Sequence, residues 1–493
     1  MSKFYITTTL PYVNDKPHIG HVLEFIQADV IARYHQSLGE EVIFNVGTDE
    51  HGIKVYRKAQ ELGIDIQKYV NEYAGYFRDL GKQFNLSFTN FIRTTDPEHV
   101  KAAQEFWNIC QKNGDIYKKK YKIKYCVGCE LEKTNSELED GKCPVHPNLK
   151  IEELEEENYF FKFSKNEKPL LKLYEEHLDF VLPAHRLTEI RKFVEAGLND
   201  FSVSRLKSKL PWGVPVPGDD EQVMYVWFDA LVNYISTLGW PNDMKKFGEF
   251  WPGVQIAGKD NLRQQSAIWQ AMLLSAGLPP SKQILIHGFI ISDGQKISKS
   301  LGNTIDPIAL AKKYGIDPVR HYLLREFPSD EDGDFSVEKL EARYNGDLAN
   351  NLGNLVSRLA KLIETKLNGE LIFEQKFLDK EKVIRIKEIT DKYRLAINHF
   401  KLHEAITSVW EILTLANQYI DEHKPWAADQ KPEHILETLT TTTELLFTAV
   451  KLLEPFLPGT AEKIYETFGR NKKQDDNIFR PVKSEPLFPR LIS

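Results

Sequence analysis

The chain has 493 residues, 42% of them hydrophobic and 27% charged, with a formal net charge of −7. That length implies about three domains and a sizeable core, and an acidic balance argues against non-specific coating of nucleic acid while leaving room for a local binding face. No apolar run reaches the roughly 18 residues of a membrane span, and the opening residues Met1 to Ile6 lack the basic-then-apolar layout of a secretory signal.

In chain order, Phe4 to Thr9 is a short β-rich run, followed by a loop over Pro11 to Lys16 with turn residues Asn14 and Asp15. Pro17 opens a helix, where its missing N–H costs nothing. Ile19, Val22, Leu23, Ile26, Val30, Ile31 and Leu38 follow at helical spacing, and Gly39 can cap the end. Glu41 to Val46 is the next apolar run. Strand, helix, strand in succession is a βαβ unit and implies a parallel sheet. Where the first strand meets the helix lies Pro17-His18-Ile19-Gly20-His21. Backbone N–H groups and the positive helix end favour phosphate there. His18 and His21 are three apart and share a face, and Gly20 lets a flat group approach the backbone. Taken alone, the pattern also fits two surface histidines on an ordinary helix.

Residues near 115 to 215 differ in character and read as an insertion. They hold a basic run, Lys118 to Lys124, which reads as solvated surface or a local binding patch, and an acidic run, Glu152 to Glu157. They also hold Cys126-x-x-Cys129 and Cys143-x-x-His146. Paired thiolate and imidazole donors on tight turns are what tetrahedral Zn²⁺ requires. All four positions are filled by protein, so the expected ion is structural, one per chain. Cys110 lies in a helical pattern and reads as a core residue. Four cysteines, three of them grouped, make no disulfide framework, and a reducing cytoplasm is the simplest home.

The α/β pattern resumes with Val223 to Phe228, Val254 to Ala257 and Ile284 to Ile291. Next comes Gly294-Gln295-Lys296-Ile297-Ser298-Lys299-Ser300-Leu301-Gly302, two lysines three apart among small hydroxyl residues. Lysine serves a triphosphate as a mobile point charge, and flanking glycines allow such a loop to close. From about Asp347 strand signals fade, and long helical patterns such as Leu348 to Leu367 and Ile435 to Leu457 predict a helix bundle.

Together the histidine motif and the Lys-Ile-Ser-Lys-Ser motif resemble the paired signatures of class I aminoacyl-tRNA synthetases, and along nearly the whole chain the resemblance runs closest to the methionine-specific family. It implies an α/β fold, a Rossmann-type parallel sheet split by a zinc-binding connective insertion and followed by a C-terminal α-helical bundle. The expected parts are a catalytic first half over 1–114, the insertion over 115–215, the catalytic second half over 216–291, a linking region with the lysine loop over 292–346 and an anticodon-binding domain over 347–493. The implied reaction activates methionine with ATP to methionyl-adenylate, then transfers it to the 3′-terminal adenosine of tRNA(Met), for initiation and elongation. His18, His21, Lys296 and Lys299 would be catalytic, stabilising charge on the ATP phosphates. Gly20, Lys259, Asp260, Arg205, Ser298 and Ser300 would bind ATP with its Mg²⁺. Leu10, Tyr12, Asp49, Trp227, Ala230, Tyr234, Gln265 and Trp269 would bind methionine, with Asp49 on the α-ammonium group and the rings against the thioether. Asn354, Arg358, Pro425 and Trp426 would read the anticodon.

Three positions depart from the family pattern: Leu231 where proline is common, Asn261 where an apolar residue is expected, and Gln265 where histidine is expected. The last two border the expected methionine pocket, and glutamine keeps a hydrogen-bonding role without titrating. Among the alternatives, synthetases for isoleucine, valine or leucine carry an editing domain larger than this insertion, and the cysteine enzyme uses an active-site zinc. A non-catalytic tRNA-binding relative would lose the phosphate groups, and a small nucleotidyltransferase would lack the bundle. No DNA or membrane partner is expected, and no appended dimerising domain is evident, so a monomer is the expectation.

Overall fold

The computed structural model of the chain describes residues 2–129, 131–133, 137–292, 295–296, 305–470, 477–483 and 485–491, and at positions 123, 131–132, 154–156, 292 and 295–296 the backbone alone. Residues 1–17, 35–81 and 87–286 form one compact unit, and 18–34, 82–86 and 287–493 another.

The first unit is built on a six-stranded sheet. Its strands, in spatial order, are Asn90–Arg93, Glu41–Thr48, Lys3–Thr7, Val254–Gly258, Gln283–His287 and Val181–Leu182. Lys3–Thr7 pairs in parallel with Glu41–Thr48 on one side (Phe4 opposite Val42) and with Val254–Gly258 on the other (Ile6 opposite Val254). Every residue of Glu41–Thr48 after the first is buried, as is all of Val254–Gly258. Burial on both faces explains why these strands read as continuous apolar runs rather than alternating ones. One strand of this sheet, Val181–Leu182, comes from the stretch read as an insertion.

That stretch also contributes a four-stranded sheet dominated by a long antiparallel ribbon, Ile116–Cys126 against Glu152–Phe161. The register sets Lys120 opposite Glu157, Lys122 opposite Glu155 and Lys124 opposite Glu153. The basic run is therefore one edge of a charge-complementary ladder; oppositely charged cross-strand neighbours stabilise such a pair. A smaller antiparallel sheet joins Ser204–Leu206, Asp219–Met224 and Pro215–Val216. The apolar run at Val223 to Phe228 is not a strand of the parallel sheet, as its composition suggested. The strand ends at Met224, Tyr225 is the extended N-cap, and Val226–Leu231 is a helix. A short apolar run carries no periodicity with which to separate strand from buried helix.

The unit's core is strongly aromatic. Trp269 is buried against Phe106 (ring centroids 5.7 Å), Tyr234 (5.8 Å) and Trp251 (6.4 Å).

The second unit is mainly helical. It takes in all but the end of the helix Ile19–Ser37, then Pro307–Tyr314, Ile316–Glu326, Val337–Arg343, Asn354–Lys366, Lys380–Asn398, Leu402–His423, Pro432–Leu453 and Pro458–Thr467. Start signals match the sequence: Asp306 caps Pro307–Tyr314 by accepting from Ile308 and Ala309, with Pro307 at the first position. The helical pattern from Leu348 begins inside a π-helical stretch, Tyr344–Gly353, before Asn354–Lys366 continues as α-helix. Within this unit Arg320 is fully buried. It donates to Asp29, on the helix that begins at the histidine motif, and to the carbonyls of Phe84, Pro455 and Phe456. Among the described residues no helix is long and apolar enough to cross a membrane.

Candidate functional site

The residues expected around methionine all lie in the first unit. Asp49 follows directly on the strand Glu41–Thr48 and forms a parallel bridge with Tyr12. Its N–H donates to the Pro11 carbonyl (2.9 Å) and its carbonyl accepts from Val13 (3.2 Å), so the loop carrying Leu10 and Tyr12 is laced to the strand end. The neighbouring Glu50 is buried in a two-pronged ion pair with Arg93 (2.6 and 2.7 Å), which fixes the turn from the other side. Across the site, Trp227 donates its indole N–H to the Tyr12 hydroxyl at 2.7 Å. Trp227 and Ala230 ride on Val226–Leu231, and Tyr234 on Asn233–Ser236. His51 and Asp229, both buried, meet at 3.2 Å and tie the Asp49 turn to the Trp227 helix. Burial holds the Asp229 carboxyl above its ordinary range, and His51 pulls it back.

Gln265 sits in a π-helical turn, Gln264–Ile268, and donates to the Tyr234 hydroxyl at 2.7 Å. Single π turns recur at functional sites because they re-aim side chains within a helix. The structure thus brings Tyr12 onto Trp227 and Gln265 onto Tyr234. The latter sits against Trp269, in a setting of rings that suits a polarisable thioether.

The groups expected to handle ATP are divided between the units. Lys259 and Asp260 open a 3₁₀ turn at the end of Val254–Gly258, and Asn261 donates to the Asp260 carboxylate at 3.2 Å. The departure at 261 therefore braces the carboxylate expected on the ribose. Arg205 is buried; it donates to Ser202 Oγ (2.8 Å) and to its neighbour's carbonyl (2.7 Å), and its guanidinium lies over the Tyr225 ring at 4.6 Å. It borders a cavity of about 250 Å³ lined also by Gly52, Arg57, Tyr125, Glu152 and Lys209. In the second unit, the His18 and His21 rings stack 3.8 Å apart. His18 Nδ1 accepts from the Gly20 N–H (3.1 Å), and His21 Nδ1 accepts from the His18 N–H (3.2 Å). Because Nδ1 accepts in both, the ring proton of each sits on Nε2, which makes that nitrogen the donor. Burial, reinforced by His18, holds the His21 pKa well below the ordinary value. A Cβ at Gly20 would lie 3.0 Å from the His18 ring, so a side chain there would press on the stack. The backbone of Lys296 pairs with Ile291 in a short antiparallel strand. Its side chain, and Ser298, Lys299 and Ser300, lie outside the described residues.

The metal-ligand set converges. The ligand atoms of Cys126, Cys129, Cys143 and His146 all lie within 4.8 Å of one another. Cys129 Sγ is 3.4 Å from Cys143 Sγ and 3.2 Å from His146 Nδ1, and Cys126 Sγ is 3.9 Å from the same nitrogen. A tetrahedral zinc with ordinary bond lengths would set sulfur–sulfur edges near about 3.8 Å and sulfur–nitrogen edges near about 3.6 Å, so the donors fit such an ion. A Cβ at Gly128 would fall 2.4 Å from the His146 ring, which is why the first knuckle has glycine there.

In the helical unit, Asn354 is exposed at the start of Asn354–Lys366, and Arg358 lies one turn on. The Arg358 guanidinium sits 4.4 Å from the Trp426 ring centroid and pairs with Asp421. Trp426 is 42% exposed, whereas Pro425 is buried. Lys424 takes the left-handed conformation (φ 45°) that ends Leu402–His423 and turns the chain toward Trp426.

Sequence reasoning missed the buried partners of these groups: Gln255, Gln270 and Ser281 behind Gln265, and the His51–Asp229 tie. A glutamine in the apolar run Val254 to Ala257 was the one available signal.

Residues 4–150 and 133–360 match the family described as tRNA synthetases class I (M), and residues 379–487 match the anticodon-binding domain of tRNA ligase. The methionine–tRNA ligase of Thermotoga maritima is 41% identical, over 99% of this chain and 80% of that one. The Brucella suis methionine–tRNA ligase is 38% identical over 99% and 98%. Among solved structures, the Mycobacterium tuberculosis methionyl-tRNA synthetase in complex with methionyl-adenylate superposes with a TM-score of 0.94 at 34% identity, covering 99% of this chain and 100% of that one.

Proposed function

This chain belongs to the class I methionyl-tRNA synthetases, and on that premise we propose how its residues divide the work. The enzyme activates methionine with ATP and charges tRNA(Met). In the first step a methionine carboxylate oxygen attacks the α-phosphorus of ATP, and pyrophosphate leaves. In the second, the 3′-terminal adenosine hydroxyl attacks the adenylate carbonyl, and AMP leaves.

Asp49 takes the α-ammonium group; a carboxylate held at a laced strand end is a preorganised partner for it. Trp227 and Tyr12 close over the substrate as a hydrogen-bonded pair, and Ala230, Leu10, Tyr234, Gln265 and Trp269 receive the side chain. The Nε2–H groups of His18 and His21, with Lys296 and Lys299, stabilise charge moving onto the phosphates. Lys259, Asp260, Gly20, Ser298, Ser300 and Arg205 hold the nucleotide, and Mg²⁺ supplies further charge neutralisation when ATP binds. Zinc, one per chain, is held by Cys126, Cys129, Cys143 and His146 in a closed structural site. Asn354, Arg358, Pro425 and Trp426 receive the anticodon, and the enzyme works as a cytoplasmic monomer.

What supports the substrate assignment most is that the Asp49–Tyr12 bridge, the Tyr12–Trp227 pair and the Tyr234–Gln265 pair all belong to one unit. The test is methionine-dependent ATP–pyrophosphate exchange by Asp49→Asn. Removing one partner of a charge pair lowers kcat/KM by about a hundredfold or more. An Asp49→Asn enzyme with unaltered kcat/KM would overturn the role given to Asp49.

A further inference from the structure

Behind Gln265 lies a closed set of buried polar side chains: Gln255, Gln270 and Ser281. Their bonds have a direction that can be worked out from the backbone. The Gln270 amide is anchored at both ends. Its Oε1 accepts from the Ser281 backbone N–H (2.9 Å), which can only donate, and its Nε2 donates to the Gln265 carbonyl (2.7 Å), which can only accept. That amide cannot turn over without facing donor to donor.

From this anchor the polarity propagates. Gln270 Nε2 also donates to Ser281 Oγ (3.1 Å), so the Ser281 proton is turned to its other neighbour, Gln255 Oε1. Gln255 therefore presents Nε2 to Gln265 Oε1 (3.1 Å), and Gln265 presents Nε2 to the Tyr234 hydroxyl oxygen (2.7 Å). Turning over the amides of Gln255 and Gln265 together would keep the bond between them, and Ser281 Oγ would then accept from both flanking amides, but its buried proton would lose the Gln255 oxygen as acceptor. In the observed sense Tyr234 accepts from Gln265, and its own proton is directed elsewhere.

We propose that Gln270, Ser281 and Gln255 are positioning residues that fix the orientation of the Gln265 amide, and through it make the Tyr234 hydroxyl a hydrogen-bond donor toward the substrate side chain. The proposal rests on the assignment of Tyr234 and Gln265 to the methionine pocket made above. Its chemical consequence is discrimination: a thioether sulfur is a weak acceptor, whereas the methylene of norleucine, which has nearly the same shape, accepts nothing. Histidine at position 265 would set this polarity by its tautomer and protonation state. Glutamine cannot, so here the backbone-anchored relay sets it.

The test compares kcat/KM for methionine with that for norleucine in ATP–pyrophosphate exchange. Tyr234→Phe removes the donor and lowers the methionine-to-norleucine ratio by about three- to tenfold, the scale of one net hydrogen bond. Ser281→Ala and Gln255→Met lower it toward the same value, Ser281→Thr retains it because the hydroxyl remains, and Ser281→Ala adds nothing in a Tyr234→Phe background. If Tyr234→Phe lowers the ratio while a folded Ser281→Ala leaves it unchanged, the relay has no such role and the pocket assignment survives. If Tyr234→Phe itself leaves the ratio unchanged, the pocket assignment fails and the relay with it. Should Gln255→Met not fold, the smaller change Ser281→Ala decides.

Discussion

Trp426 leaves 42% of its surface open while the Arg358 guanidinium carbon lies over its ring, 4.4 Å from the centroid. An indole placed this way is a stacking platform for an unstacked base. Trp426→Ala is expected to raise KM for tRNA(Met) by about tenfold or more, at about 1–3 kcal/mol per stacked base, with tRNA-free pyrophosphate exchange unchanged. Equal losses in both assays would contradict that role. Arg320 lies at the opposite extreme of burial. Inside the second unit it serves Asp29, on the helix that starts at the histidine motif, and the carbonyls of Phe84, Pro455 and Phe456. Arg320→Met takes this donor from those carbonyls and one of two arginines from Asp29, Arg33 remaining at 2.8 Å. A stability loss of about 3–5 kcal/mol is expected in urea unfolding, and a loss under about 1 kcal/mol would show that the network relaxes around the gap. His18, His21 and the cysteine knuckles were legible because their chemistry sits at fixed short spacings. Gln255 and Ser281 were not, because their partners come from elsewhere in the fold.

At the scale of elements, the ribbon Ile116–Cys126 and Glu152–Phe161 brings together two charge runs that look unrelated in the sequence. The first strand ends on Cys126, so the metal knuckles close the far end of the ribbon. Cys143→Ser is expected to lose the bound zinc and to weaken backbone protection at residues 124–129 and 142–146. Metal analysis alongside hydrogen exchange reads both effects, and a variant that keeps one zinc per chain would contradict the ligand set. Periodicity located the strand–helix–strand start and the long helices correctly, since a 19-residue helix such as Ile19–Ser37 shows several turns of pattern. It misread Val223 to Phe228, where six apolar-rich residues cross from strand to helix within the core.

At the scale of the whole molecule, burial lowers five histidines among the described residues: His35 and His403, and much further His21, His99 and His321. His99 is lowered to about 3, chiefly by desolvation and then by His51. His321 is lowered well below its ordinary value by burial and by Arg325 and Arg343, and His21 by burial and His18. A folded-state pKa below the unfolded value of about 6.5 means that the unfolded chain takes up protons the native state refuses. The stabilisation is full above that value and is lost as pH falls below it, at up to about 1.4 kcal/mol per pH unit for each histidine. Urea midpoints are expected to fall between pH 7.5 and pH 5.5, with a shallower fall in His99→Gln; a flat profile would contradict the neutral assignment. The parallel sheet and the helical bundle were both legible from the chain, the sheet from short apolar runs set around a helical pattern and the bundle from its long helical period. The arrangement of the smaller antiparallel sheets was not, because their strands are two to six residues long in part and pair by tertiary register.

The central claim is that this chain activates methionine and loads it onto its tRNA. It is tested most directly by ATP–pyrophosphate exchange with each of the twenty amino acids, followed by acylation of tRNA(Met) with the one that supports exchange. The account predicts exchange with methionine and a charged tRNA(Met). Exchange supported by a different amino acid and not by methionine would contradict it.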